Sequence, residues 1–292
     1  MLELLRGELN LTLDIIFGLV IGEIIIRLGL ADLVLKKISR LKIPSVTALA
    51  IALSTGSSKT GAAVIALALE KNQISERVAI WSVLMLPFPS YLRRWPGTFA
   101  LAMGMAGKAG TFFALSLLLR SIARFFFAYF MVRSEKNSEL IITEKKIKKN
   151  FGFPFIKKLL KTLPYAWIFF ALAYSIVPMI NKFFVDNINF FSFLPLVGWT
   201  VAAGSVAHVS SALAIAGGAL ASGELNTAQA VFSLILGSGL GTATRILRQN
   251  VGYYFGLFPP SVARKMLFLN FATIMPLILL NLIFAGLALL FY

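Results

Sequence analysis

The chain has no cysteine and a single histidine, His208. Disulfides, thiolate metal centres and thiol nucleophiles are therefore excluded, and one imidazole cannot build a metal site alone. Charge is scarce as well: charged residues make up 14%, against about 25% in soluble domains. Acids are scarcer still, with 12 Asp and Glu facing 28 Lys and Arg, a net charge of +16. What fills the space is apolar, 58% of all residues with a mean hydropathy of +0.84, which exceeds what a globular surface can cover. The composition implies an integral membrane protein of the cell membrane, multi-pass, with lipid as its main solvent. Basic excess beside membrane spans holds loops on the cytoplasmic side, so nucleic acid is not an expected partner. Residues 1–10 carry Glu3, Arg6 and Glu8 rather than the basic n-region of a signal peptide, and the first span is expected to be retained.

A hydrocarbon core of ~30 Å takes about 20 apolar helical residues to cross. Stretches 11–30, 45–69, 109–132 and 265–292 meet that length, and 164–183, 190–220 and 230–247 extend the series with Gly and polar interruptions. Residues 96–132 are too many for one crossing and divide into a short span and a full one, as do 251–292.

The two halves match at a constant offset of 151 residues. Pro44 falls on Pro195, Ser54 on Ser205, Ser82 on Ser233 and Arg94 on Arg245. An internal duplication follows: 1–132 as a first repeat, 133–161 as a basic cytoplasmic linker with Lys145, Lys146, Lys148 and Lys149, and 162–292 as a second repeat. The loop at 36–42 carries four bases while its equivalent at 187–193 carries none. Placing the two on opposite sides satisfies the positive-inside rule twice, so the repeats are expected to be inverted. Five crossings per half give an all-α polytopic membrane protein of about ten membrane segments, with broken or re-entrant helices and both termini outside.

The breaks carry the polar residues. They are 54–61 and 86–96 in the first half, and 204–211 and 237–248 in the second. Non-helical backbone at membrane depth must be buried in protein or line a wet cavity, and inverted repeats with broken helices are a transporter design.

The run GSSKTGAAVIALALEKNQISERVAIWSVLMLPFPSYLRRWPGTFALA, 56–102, resembles a Gate (nucleoside recognition) domain. It is similar to the Gate segment of the bacterial ferrous-iron transporter in its Gly-rich break, in Glu76-Arg77 followed after nine residues by Pro87-Phe88, and in the Arg after the second break. The second half, 204–258, resembles it more weakly. The resemblance implies paired inverted Gate repeats and a transport role, and the family's label points to nucleosides. Where the iron transporter has cysteines, this chain has Ser57 and Ser90 or Tyr91, so the soft ligands that would favour iron are missing.

Arg94 and Arg245 stand out within the chain itself, because a charge inside a span is costly unless it faces a cavity or a partner. Acids nearby are few, and a guanidinium fork pairs with carboxylate or phosphate. Two such forks from opposite halves would clamp one anion. Arg93 and Arg248 add a second pair and Lys59 a fifth charge, with Ser57, Ser58, Ser210 and Ser211 as hydrogen-bond donors. Snorkelling of the arginines to an interface stays open as the plainer reading. His208 suits either proton coupling or a structural hydrogen bond, the latter being favoured. Glu23 and Arg27, four residues apart, satisfy each other. The aromatics are assigned to lipid and interface.

No phosphate loop, catalytic triad or metal-ligand spacing is present, so an enzyme is not expected, nor a cofactor or a metal. The expected function is a secondary transporter or flippase for an anionic, phosphate- or carboxylate-bearing small molecule or lipid headgroup. A nucleoside transporter and a non-transporting structural protein remain alternatives, and homo-oligomerisation stays open beside membrane lipid as partner.

Overall fold

A computed structural model describes residues 43–134 and 194–290, and outside them only Leu9, Thr12, Pro164, Trp167 and Ile168. The expected first span at 11–30, the Glu23–Arg27 pair, the loops at 36–42 and 187–193, and the linker beyond Ser134 lie outside these residues. Every described element is helical.

The elements of the two halves correspond at the offset of 151. Helices α1 (Ser45–Ser54) and α2 (Ser58–Glu70) match α6 (Leu196–Ala207) and α7 (Val209–Ala221). Helix α3 (Glu76–Met85) starts where α8 (Thr227–Arg245) does. Even the caps coincide. Pro44 and Pro195 precede α1 and α6, with φ of −54° and −57° suited to a helix entry. The Ser75 hydroxyl accepts from Val78 N, while Asn226 and Gln229 close a capping box. Asn72 and Gly223, again 151 apart, take the left-handed conformation that ends α2 and α7. These are the two residue types that tolerate it best.

Residues 45–69 do not form the single span expected of them. Helices α1 and α2 fold back on each other about Thr55–Gly56, so closely that a Cβ at Gly61 would stand 2.5 Å from the Ala50 carbonyl oxygen. Helices α6 and α7 do the same about His208, with Gly204 lying against Ile215 and Ala212. Arms of 10 to 13 residues reach only about 15–20 Å, short of a ~30 Å core. Composition could not reveal this, because a hairpin of two apolar arms and one apolar span have the same hydropathy.

The next helix, Pro87–Ser134, leaves helical geometry at Ala106 (φ −125°) and Gly107 (φ +53°, ψ −127°). Its limbs, 87–105 (α4) and 108–134 (α5), fold back there. Trp95 Nε1 donates to the Ala114 carbonyl at 3.2 Å, although residues that far apart in a straight helix would be separated by about 28 Å. The split expected within 96–132 thus falls at Gly107. The second half turns at the matching place: α9 (Val251–Leu257) ends at Phe258, and α10 (Pro260–Leu290) returns with Ile278 against Gly239 of α8.

Among the described residues, three stretches are long and apolar enough to cross a membrane: Glu76–Ser134, which folds at Gly107, Thr227–Leu257 and Pro260–Leu289. They do not make up about ten segments, because the two hairpins take up sequence that the count had treated as crossings.

Two compact units result. One comprises Met1–Arg93, Ile122–Leu172 and Gln249–Phe268, the other Arg94–Ser121, Ala173–Arg248 and Leu269–Tyr292. Neither coincides with a half of the sequence, since each gathers stretches from both. In the first, a buried Thr47–Ser82 hydroxyl pair at 2.8 Å ties α1 to α3, and Trp81 and Phe88 meet Phe127 and Phe125 of α5. In the second, Ala102 and Phe113 of the folded limbs share a core with Val201, Leu213 and Leu234.

Candidate functional site

The candidate residues separate between the units. The first unit holds Ser57, Ser58, Lys59 and Arg93, and the second holds Arg94, Arg245, Arg248, His208, Ser210 and Ser211.

In the first unit the residues gather at the hairpin tip, where α2 begins. Ser57 is in the N-cap position with extended backbone (φ −152°) and makes no side-chain cap bond. Ser58 and Lys59 form the first turn, where the helix dipole favours negative charge. Arg93 Nη2 donates to the Gly56 carbonyl at 3.5 Å, which places a guanidinium just before that turn. The Lys59 ammonium lies 5.7 Å from the centre of the Tyr253 ring, and the Tyr253 hydroxyl donates to the Lys59 carbonyl.

In the second unit His208 caps α7. Its Nδ1 accepts from Ser210 N at 3.2 Å and meets Ser210 Oγ at 2.6 Å. An Nδ1 that accepts leaves the ring proton on Nε2, so the histidine does here what a serine or asparagine does at other caps. The structural expectation for His208 describes this geometry, and Ser210 is bound to the imidazole. Ser211 is exposed beside it.

Arg94 and Arg245 lie close enough for their charges to act on each other. Both are exposed, as are Arg93 and Arg248. Arg245 ends α8, and Arg248 follows in a π-helical turn, Ile246–Asn250. Such turns are rare and recur at functional sites. The equivalent place in the first half carries Pro96, inside the helical run.

No family model and no solved structure matches the chain. It is similar to "Uncharacterized protein MJ0871" of Methanocaldococcus jannaschii, 26% identical over 229 residues that make up 74% of this chain and 72% of that one.

Three further residues belong to this description. Arg120 and Arg124 sit four apart in the apolar stretch of α5, and the rule that singled out Arg94 applies to them equally. Within the first unit, Arg124 is an electrostatic neighbour of the buried Tyr254. Tyr253 had no signal in the sequence, because its role depends on a helix of the second half reaching the hairpin tip of the first. Among the described residues no three His, Asp or Glu side chains group as metal ligands.

Proposed function

We propose that the chain is a secondary transporter or flippase of the cell membrane that moves an anionic, phosphate- or carboxylate-bearing small molecule or lipid headgroup by alternating access. The carrying observation is that Arg94 and Arg245, from opposite halves and 151 residues apart, come within electrostatic reach of each other in one unit. Two like charges held together repel, and an anion shared between their forks turns that repulsion into attraction. The paired hairpins support the reading, because helix ends exposed at a break supply the polar backbone that a substrate needs inside a membrane.

The remaining architecture is proposed on the same grounds. The halves 1–132 and 162–292 are Gate-like inverted repeats joined by the basic linker 133–161. Each contributes a re-entrant hairpin followed by two crossing limbs. Membrane lipid is the partner in this reading, and the chain performs no chemistry on its cargo.

A thermal-shift screen of the purified protein against inorganic phosphate, carboxylates, nucleotides, lipid phosphates and nucleosides tests the reading, since ligand binding to the native state raises apparent stability. The expected result is stabilisation by anions that is lost in Arg94→Gln and in Arg245→Gln. If both variants respond as wild type does, or if the strongest ligand is an uncharged nucleoside, the anion reading is wrong.

A further inference from the structure

Helices α6 and α7 meet at a single residue of the second unit. His208 ends α6 with its N–H on the Gly204 carbonyl at 3.0 Å, and its own carbonyl accepts from Ser211 N and Ala212 N to begin α7. Between those bonds the backbone is extended (φ −159°, ψ 141°), and the imidazole bridges the break by accepting at Nδ1 from Ser210 N at 3.2 Å. That bond needs the Nδ1 lone pair, which a proton would occupy. A protonated Nδ1 donates instead, with Ser210 Oγ at 2.6 Å as the partner at hand, and the Ser210 amide loses its acceptor. Histidine is the one side chain that ordinarily changes charge between pH 5 and 8, and His208 is exposed, so no layer of protein keeps protons from it.

The surrounding charges do nothing to compensate a proton. Neither α6 nor α7 carries another titratable residue. On α8, an added Cβ at Gly237 would stand 2.5 Å from the Ala202 carbonyl oxygen, and one at Gly241 3.0 Å from that of Ser205. The two helices thus advance together, which carries Arg245, one turn beyond Gly241, toward the break. Arg94 of α4 is within electrostatic reach of Arg245, and Arg248 follows it in the π-helical turn. The other charged residues described in this unit are Lys108 and Arg120 of α5 and Glu224. Glu224 lies beyond the far end of the 13-residue α7, about 20 Å from its start. The positive end of the α7 dipole disfavours a cation at the cap as well.

The first hairpin is built without this feature. At the offset of 151, His208 falls on Ser57, whose backbone is nearly the same (φ −152°, ψ 126°) and whose side chain makes no cap bond.

We propose that His208 is a proton-operated latch on the second hairpin. Neutral, it ties the break to the first turn of α7; protonated, it releases the Ser210 amide and lets that turn open. The bond exists only in the neutral ring, so the stability it contributes is present at alkaline pH and is lost as the pH falls through the range in which histidine ordinarily titrates. The first hairpin does not respond.

Thermal unfolding of the full-length protein in detergent at pH 8 and pH 5.5 tests this, with His208→Asn as the reference because asparagine caps without titrating. Wild type is expected to melt with His208→Asn at pH 8 and a few degrees below it at pH 5.5. A local readout comes from Ala212→Cys, at a fully buried position in the first turn of α7, made in wild type and in His208→Asn so that the pH dependence of the thiol cancels in the ratio of their maleimide-labelling rates. That ratio is expected to be near one at pH 8 and about fivefold at pH 5.5, the worth of one cap. Ala62→Cys, buried in the first hairpin, is expected to give a ratio near one at both. If Ala212→Cys does not fold, the melts decide alone. Melting temperatures that stay together at both pH values overturn the latch, as does an Ala212→Cys ratio that ignores pH or an Ala62→Cys ratio that rises equally.

Discussion

The fold-back at Gly107 can be tested through Gly110, one of the closest backbone approaches in the second unit. A Cβ at Gly110 would stand 1.8 Å from the Ala102 carbonyl oxygen and 2.4 Å from its carbon. Carbon and carbonyl oxygen come no nearer than about 3.3 Å even in favourable C–H···O contacts, so α4 and α5 would have to part by about 1.5 Å. Backbone cannot swing aside as a flexible side chain would. The bond from Trp95 Nε1 to the Ala114 carbonyl, already 3.2 Å long, would then break, and Ala102 and Phe113, both fully buried, would lose contact.

Overpacking of this kind costs roughly 1–3 kcal/mol and the lost hydrogen bond about 1 more. Against that, replacing glycine by alanine in a helix gains about 0.5–1 kcal/mol. The net expectation for Gly110→Ala is a loss of about 2 kcal/mol, or several degrees in the unfolding temperature. Gly104 and Gly218 are helical and have nothing within 4 Å of an added Cβ, so Gly104→Ala and Gly218→Ala are expected to be neutral or slightly stabilising. Thermal unfolding in detergent, followed by tryptophan fluorescence, measures all three. A Gly110→Ala protein that melts with wild type and with the two controls would falsify the fold-back.

Gly107→Ala isolates backbone strain from crowding: nothing lies within 4 Å of an added Cβ, yet φ is +53° with ψ −127°, and a loss of about 1–3 kcal/mol is expected from the dihedral alone, read by the same melts. His208→Asn retains an acceptor at the cap of α7 and should melt close to wild type, whereas His208→Ala should lose about 0.5–2 kcal/mol; equal behaviour of the two would show that the imidazole does not cap. Because Glu76 and Lys265 meet at 3.2 Å in the first unit, cysteines placed at the exposed Gln73 and Ser261 in the otherwise cysteine-free chain should react with a membrane-impermeant maleimide from one and the same side. Arg94→Gln and Arg245→Gln should each weaken anion binding by about tenfold or more, as expected for a lost charge-assisted hydrogen bond, with lysine restoring only part because it lacks the fork; titration with the ligand that emerges from the screen checks this.

Much of the second half of the fold was visible from the first, because the offset of 151 runs through caps, turns and breaks alike. The Pro44 and Pro195 entries, the Ser57 and His208 breaks and the Gly107 and Phe258 turns all obey it. What stayed hidden was the direction in which the chain leaves a break. A Gly-Ser cluster between apolar runs permits either a bent continuous span or a hairpin, and hydropathy is the same for both. The decision lies in close approaches such as Gly61 to the Ala50 carbonyl, which depend on tertiary packing. The candidate site behaved likewise. The sequence could pick out Arg94 and Arg245 by charge and symmetry, but not that Arg93 faces Gly56 while its neighbour Arg94 lies within electrostatic reach of Arg245. Successive helical residues point about 100° apart, and spacing alone does not say which direction meets which partner.

The equivalences also show two stretches that match at one offset reaching the same helical arrangement through different contacts. At the α1–α3 contact, Thr47 bonds Ser82 across 2.8 Å. At the matching place Gly198 faces Ser233, and a Cβ there would stand 2.8 Å from the serine hydroxyl oxygen, which is bonded instead to the Gln229 carbonyl within its own helix. The first half joins its helices through a hydroxyl pair, and the second joins them by close approach. Both satisfy the buried serine, so selection for packing tolerates either solution. Lys59 and Tyr253 against Ser210 and Ala102 differ in another respect. Placing a cation and its aromatic support at one hairpin tip adds charge, and packing alone does not require charge there. The one-sided lysine is thus a difference of charge between the two hairpins that their shared packing does not account for.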